Sequence, residues 1–226
     1  MLRVKELYHD KDVDISKPVV AGDKHPLYIV THNKEKLVFK FSDKESAFRN
    51  LNTSKVLRKH GIPVPNIQVY RLDGKYCELY DFIEGKTLFE RNQEGISEDT
   101  ILKIYNQLYD ICQKMSKIPL SEMVHLEEKH EEPSFFDLFK HKKNIEQKKV
   151  VGHDNLNDKN ILLDKDDNVC GILGLDAVSI KPLTEHFIRL FDIAKENGYN
   201  IEEIKEKHHN GLLQKIVAII KPEKGL

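Results

Sequence analysis

The sequence predicts an α+β protein of two lobes, a small antiparallel β-rich N-terminal lobe with one helix and a larger, mainly helical C-terminal lobe. Two observations support this division. Residues 27–83 contain four short runs rich in β-branched and aromatic residues, separated by polar or Gly-containing breaks. Beyond residue 85, apolar residues recur at helical spacing along much of the chain. We therefore predict lobes 1–84 and 85–226.

The N-terminal lobe is predicted in the order strand, strand, helix, strand, strand. Residues 27–32 and 36–42 flank Asn-Lys-Glu and predict a hairpin. Residues 44–60 predict an amphipathic helix, which Gly61 and the prolines after it end. A second hairpin is predicted around Asp73-Gly74, because this dipeptide suits the tight turn between antiparallel strands. The apolar stripe of the helix is assigned to Ala47, Leu51, Ser54 and Leu57.

The C-terminal lobe begins with a helix whose start is marked by Ser97 and an acidic first turn. Residues 160–164 and 168–173 predict two short strands joined by a polar turn. Residues 185–198 and 201–220 predict two further helices. The first helix is expected to be buried along a stripe of Ile101, Ile104, Leu108, Ile111 and Met115.

The overall charge argues against a polyanionic partner. Lys and Arg number 36 and Asp and Glu 37, a formal net charge of −1, so no global positive field favours nucleic acid. The N-terminal residues lack an apolar signal core, and no run approaches the roughly 18 apolar residues of a membrane span. We expect a cytoplasmic protein without nucleic-acid or membrane partners. Its three cysteines, Cys77, Cys112 and Cys170, are expected to be reduced and to act as small buried hydrophobes.

The most informative segment is the polar loop in VVGHDNLNDKNILLD, residues 150–164, which lies directly before a predicted hairpin. Phosphoryl transfer needs a carboxylate that orients the acceptor hydroxyl and oxygen ligands that hold a metal. An Asp and an Asn five residues apart on one rigid loop can supply both. The segment resembles the catalytic loop of aminoglycoside phosphotransferases and choline kinases, H-x-D-x-x-x-x-N followed by an apolar strand. His153, Leu156 and Asn160 match it.

Further motifs follow the order of that family. Lys40 in LVFKFS corresponds to the strand lysine that pairs with nucleotide phosphates, and G-I-P-V-P follows the helix. Asp81 and Ile83 in YDFIEGKTL correspond to the hinge whose backbone binds adenine. Gly22 lies where a phosphate-covering loop would be. The resemblance implies a protein-kinase-like fold, an N-terminal nucleotide-binding lobe, ATP and Mg²⁺ as cofactors, and a small hydroxylated acceptor.

The chain departs from this family at the acidic positions. Asn155 replaces the expected catalytic Asp, and Gly174 replaces the metal-binding Asp. Asn50 stands where the helix would carry a Glu that pairs with the strand lysine, although Glu45 is a possible substitute. Because an amide cannot accept the acceptor proton, loss of the general base is expected to cost about 10²- to 10⁴-fold in rate.

Two functions remain open from the sequence. One is an ATP-dependent phosphotransferase in an inactive or strongly impaired version, and the other is a pseudokinase-like module that binds a nucleotide or a protein. The remaining candidate metal ligands are Asn160 and Asp176, since residues two apart in an extended segment face the same side. His153 is interpreted as a structural residue of the catalytic loop rather than as a base.

The acceptor is not identified by any motif. Acidic residues between the predicted helices fit either a cationic acceptor or a solvated surface. They are Glu127, Glu128, Glu131, Glu132 and Asp137.

Overall fold

The protein divides into two compact units, Met1–Glu84 and Gly85–Leu226. The structure, a computed structural model, describes residues 14–15, 27–32, 34–72, 74–126, 148–183, 185–187 and 190. Gly22, the acidic segment 127–147 and most of the two last predicted helices lie outside the described residues. The α+β architecture predicted from the sequence is confirmed.

The N-terminal unit is built on one antiparallel sheet. Its strands lie in the order β1-β2-β3-β5-β4, so β3 and β5 are neighbours although a helix and β4 separate them along the chain. The second hairpin closes at Leu72 opposite Lys75, around the predicted Asp73-Gly74 turn. The strands are β1 (Asp14–Ile15), β2 (Leu27–His32), β3 (Glu35–Ser42), β4 (Ile67–Leu72) and β5 (Lys75–Asp81).

Alternation along the strands gives this sheet two different faces. On one face a cluster of Val30, Cys77 and Leu79 packs with aromatic neighbours that include Phe39 and Phe41, whose ring centroids are 4.9 Å apart. The opposite face carries Lys40 and Glu78, which are directly paired in the register of β3 with β5.

Helix α1 (Lys44–Lys59) packs against β4 and β5. It is capped by Asp43 and ends in a Schellman turn, in which left-handed Gly61 (φ +71°) lets the N–H of Ile62 reach the carbonyl of Leu57 at 3.0 Å. The predicted apolar stripe is wrong in one respect: Leu51 is only half-buried. The buried positions are Ala47, Asn50, Thr53, Ser54 and Leu57.

The C-terminal unit contains two small antiparallel sheets, ordered β6-β8-β9 and β10-β7. The predicted hairpin is confirmed as β8 and β9, but β6, β7 and β10 were not predicted. Strands β7 and β10 are separated by 24 residues and pair from His153–Val178 to Lys149–Pro182. No local sequence pattern predicts a pairing over this distance. The strands are β6 (Lys86–Thr87), β7 (Lys149–His153), β8 (Ile161–Leu163), β9 (Val169–Ile172) and β10 (Val178–Pro182).

Helix α2 (Leu88–Glu94) was not predicted, whereas α3 (Glu98–Ser116) was, with Ser97 as its N-cap. The buried positions of α3 include Ile104, Leu108, Ile111 and Met115 of the predicted stripe, whereas Ile101 is only half-buried. The ring centroids of Tyr109 and Phe187 are 5.5 Å apart. Within the described part of the chain, no helix is long and apolar enough to cross a membrane.

The cysteines are free thiols. Cys77 and Cys112 are buried as predicted, and burial raises the pKa of the Cys112 thiol to about 12. Cys170 is only half-buried. The two buried thiols are therefore protonated at neutral pH and behave as small apolar side chains.

Candidate functional site

The predicted catalytic loop, residues 154–160, joins the two sheets of the C-terminal unit. It leaves β7 at His153, where the N–H of Asp154 donates to the carbonyl of Ala177 at 2.8 Å. It enters β8 at Ile161, and the carbonyl of Asn160 accepts the N–H of Leu173 at 2.8 Å. Backbone hydrogen bonds from both sheets thus fix the two ends of the loop.

His153 is a buried anchor for this loop, with only 2 % of its surface exposed. Its Nδ1 accepts the backbone N–H of Asn155 at 3.2 Å, so the proton lies on Nε2, which donates to the carbonyl of Leu173 at 2.8 Å. Burial lowers the pKa of His153. Because both ring nitrogens are bound to backbone groups, His153 positions Asn155 and has no free nitrogen for a substrate.

Asn155 and Asn160 are connected directly. The Nδ2 of Asn160 donates to the backbone carbonyl of Asn155 at 2.7 Å, and the exposed Asn155 side chain accepts the Nδ2 of Asn157 at 2.6 Å. The Oδ1 of Asn157 also accepts the N–H groups of Lys159 (3.0 Å) and Asn160 (3.2 Å), a local Asx-type turn. The residue at position 155 is therefore presented to solvent on a fixed backbone.

Gly174, the position at which the resemblance implies a metal-binding Asp, lies beside Asn160. Its backbone is left-handed, with φ 73° and ψ 47°. A Cβ atom at this position would lie 3.2 Å from the Nδ2 of Asn160 and 3.4 Å from its Oδ1. A side chain at position 174 would thus meet the carboxamide of Asn160.

Two acids, Asp154 and Asp176, lie close to the predicted positions 155 and 174 in the sequence. Asp176 is exposed in a 3₁₀ turn, Leu175–Ala177, so the extended geometry on which its role as a metal ligand was predicted is wrong. The carboxylate of Asp154 accepts the hydroxyl of Ser179 at 2.9 Å and forms an ion pair with Lys181. The Asp154 carboxylate thus faces β10 and does not stand in for a carboxylate at position 155.

These residues do not fit a Mg²⁺ site of the family's composition. Asn160 offers one side-chain amide oxygen and Gly174 offers no side-chain oxygen, whereas Mg²⁺ sites use carboxylates together with substrate oxygens. In the residues that the structure describes, no three His, Cys, Asp or Glu side chains are grouped to hold a metal.

In the N-terminal unit, Lys40 lies on β3 directly opposite Glu78 of β5. Glu78 is completely buried; its Oε2 accepts the Nδ2 of Asn50 at 2.9 Å and the hydroxyl of Tyr80 at 2.5 Å. Asn50 therefore faces the sheet beside the partner of Lys40, whereas Glu45 is exposed in the first turn of α1. Sequence reasoning missed Glu78, although the register of a β3–β5 pairing would have revealed it.

The predicted hinge begins where β5 ends. The N–H of Asp81 donates to the carbonyl of Asn66 at 3.0 Å, and its side chain is exposed. Ile83 is half-buried and lies outside the strands. Among the described residues, its backbone forms no hydrogen bond with another backbone group.

Together these features define the class of fold: it is the fold of the aminoglycoside phosphotransferases, and the resemblance found in the sequence is confirmed at that level. The similarity is one of fold alone, since the three structures described below are only 12–14% identical to this chain. No family profile and no curated protein matches the sequence.

Three solved structures illustrate the match. APH(2″)-IIIa in complex with GDP and kanamycin superposes with a TM-score of 0.64 at 14% identity, covering 96% of this chain and 85% of that chain. Spectinomycin phosphotransferase APH(9)-Ia, with ADP and spectinomycin, gives 0.63 at 14% identity, covering 92% and 78%. A provisionally assigned aminoglycoside phosphotransferase from Ralstonia eutropha JMP134 gives 0.66 at 12% identity, covering 94% and 76%.

Proposed function

We propose that this protein binds a purine nucleotide in the manner of small-molecule phosphotransferases but has lost, or strongly reduced, phosphoryl transfer. One observation supports the proposal: hydrogen bonds fix the backbone of the loop that resembles the family's catalytic loop, and this loop carries an amide where the resemblance implies an acid. His153 and Asn160 still hold the backbone of Asn155, at 3.2 and 2.7 Å. The side chain presented by this framework is an amide.

The loss of chemistry follows from the groups present. An amide at position 155 can orient a hydroxyl but cannot accept its proton, which a general base must do. Gly174 supplies no carboxylate for a metal, so the charge of a transferring phosphoryl group would lack its usual neutralisation. The missing general base affects only the transition state, and neither substitution removes Lys40 or the hinge residues that we propose as the nucleotide contacts.

Nucleotide binding is supported by groups of the N-terminal unit. Lys40 offers an ammonium for phosphates, and the backbone N–H and carbonyl of Ile83, which bond to no other backbone group among the described residues, suit the edge of a purine. Similar folds have been solved with GDP and with ADP. We therefore propose Asp81 and Ile83 as the hinge contacts and Lys40 as the phosphate contact, without a requirement for Mg²⁺.

The acceptor side of the proposal is a small hydroxylated molecule. Kanamycin and spectinomycin occur in the similar structures and are the first compounds to try. A pseudokinase-like module that binds only a protein partner would bind neither nucleotide nor acceptor, and this outcome separates the two hypotheses.

The test is nucleotide-induced thermal stabilisation, measured with ATP and GTP in the presence of Mg²⁺ or EDTA. We expect stabilisation that is equal in both conditions and is lost in Lys40→Met. The variant Asn155→Asp with Gly174→Asp should then hydrolyse the nucleotide slowly and respond to kanamycin or spectinomycin. No stabilisation at millimolar concentrations of either nucleotide would refute the proposal.

A further inference from the structure

Two buried acceptor atoms lie without partners between α1 and the sheet of the N-terminal unit. Glu78 and Asn50 are 0 and 2 % exposed, and neither Glu78 Oε1 nor Asn50 Oδ1 has a hydrogen-bond partner. Buried polar atoms are nearly always paired, because an unpaired acceptor has given up its water without compensation. The two atoms belong to side chains already joined by the bond from Asn50 Nδ2 to Glu78 Oε2, at 2.9 Å.

The matching donor is on the neighbouring strand. Lys40 is the cross-strand partner of Glu78, so both side chains project from the same face of the sheet, with Cβ atoms about 4.5 to 5.5 Å apart in such pairs. Lys40 is half-buried and forms no ion pair with a described residue. Its ammonium has three N–H donors and no acceptor, the complement of two orphan oxygens.

We propose that Glu78 is the positioning carboxylate of Lys40 and takes over from the acid that α1 lacks at position 50. In this arrangement Asn50 and Tyr80 hold the carboxylate through Oε2, at 2.9 and 2.5 Å, and leave Oε1 for the ammonium. Glu78 acts through Lys40 and does not itself contact the nucleotide. The significance for nucleotide binding rests on the function proposed above.

The arrangement has a mechanical consequence. Lys40 and Glu78 belong to adjacent, hydrogen-bonded strands, so their spacing is set by the sheet. A lysine whose partner lay on α1 would instead depend on the position of that helix. The sheet therefore fixes the backbone spacing of Lys40 and Glu78, and α1 affects the pair only through the bond from Asn50 to Glu78.

The pairing is tested first without nucleotide, by a double-mutant cycle on urea unfolding with Lys40→Met and Glu78→Gln. Gln keeps an oxygen for Asn50 and Tyr80, so the variant retains both existing bonds. We expect the two substitutions to be non-additive by at least tenfold in the unfolding equilibrium constant. The matched cycle of Lys36→Met with Glu78→Gln should be additive, because Lys36 already pairs with Glu84 at 3.2 Å.

A second cycle covers the case in which Glu78→Gln does not fold. Asn50→Asp places a second carboxylate beside Glu78, and a nearby ammonium would offset the repulsion between the two negative charges. We expect Asn50→Asp to raise the unfolding equilibrium constant at least tenfold more in the Lys40→Met background than in the protein that has Lys40. Equal effects in the two backgrounds would overturn the proposal.

Nucleotide affinity then separates this inference from the proposed function. Titration with ATP should show Glu78→Gln weakening binding about tenfold when Lys40 is present and not at all in Lys40→Met, and Asn50→Glu should restore affinity to Glu78→Gln. If Glu78 had only a structural role, Glu78→Gln would weaken ATP binding equally in both backgrounds. That result would contradict the inference. Coupled stability without any ATP binding would uphold the pair and refute the proposed function.

Discussion

Replacing Gly174 by Asp tests whether the fold still accommodates the acid that this position lacks. The backbone there is left-handed (φ 73°, ψ 47°), a conformation that costs L-residues about 1–2 kcal/mol and that Asp and Asn tolerate better than most. The new Cβ would lie 3.2 Å from Asn160 Nδ2, a side-chain atom that can yield by a few tenths of an ångström. We therefore expect a loss of stability of about 1–2 kcal/mol, with the fold retained.

Thermal unfolding measures this cost. In a protein of this size about 1 kcal/mol lowers Tm by roughly 2–4 °C, so Gly174→Asp should unfold about 2–8 °C earlier. Gly174→Asn and Gly61→Asn are the matched controls, because Gly61 has nearly the same φ, +71°, but no atom within 4 Å of its Cβ position. The difference between the two Asn variants isolates the contact with Asn160.

The functional readout is the response to Mg²⁺. Stabilisation by ATP should become Mg²⁺-dependent in Gly174→Asp, where a carboxylate joins the amide oxygen of Asn160, and should stay independent in Gly174→Asn. An unfolded Gly174→Asp alongside a folded Gly61→Asn would show that the position cannot hold a carboxylate. A folded variant indifferent to Mg²⁺ would refute the inferred site.

Three further predictions concern the C-terminal unit. Burial lowers the pKa of His186 from 6.5 to about 4, so stability should be complete above pH 6.5 and fall by about 3 kcal/mol on acidification to pH 4; His186→Gln should flatten urea midpoints across this range. Gly85→Ala should lose about 1–3 kcal/mol in the same assay, because its Cβ would lie 2.6 Å from the backbone oxygen of Leu163; an unchanged midpoint would contradict this packing. Asp176→Asn should leave ATP affinity unchanged with and without Mg²⁺, and a Mg²⁺-specific loss would instead make Asp176 a ligand.

Local signals in the sequence were sufficient for several elements. Asp73-Gly74 predicts the β4–β5 hairpin, because few other residues adopt the turn that it requires. Ser97 predicts the start of α3, because its side chain accepts the N–H of Thr100. The spacing from His153 to Asn160 predicts that both side chains belong to one local loop. This prediction needs only short-range information, because the hydrogen bonds of the loop join residues at most five apart.

Other features depend on contacts between distant parts of the chain. The pairing of β7 with β10 joins short segments whose composition alone does not distinguish them from loops. The 3₁₀ turn at Asp176 follows from left-handed Gly174, and counting residues along an assumed strand misplaced that acid. Helix α2 is likewise too short for a periodic signal.

The sequence by itself determined the α+β order of elements, the composition of the catalytic-like loop and the absence of acids at positions 155 and 174, because these depend on residue identity and short-range spacing. Only the tertiary structure decided that Glu78 lies opposite Lys40 with Asn50 against its carboxylate. The physical reason is register: which residues face each other across a sheet is set by side-chain packing between strands, and residues far apart in the chain meet only when that packing is complete.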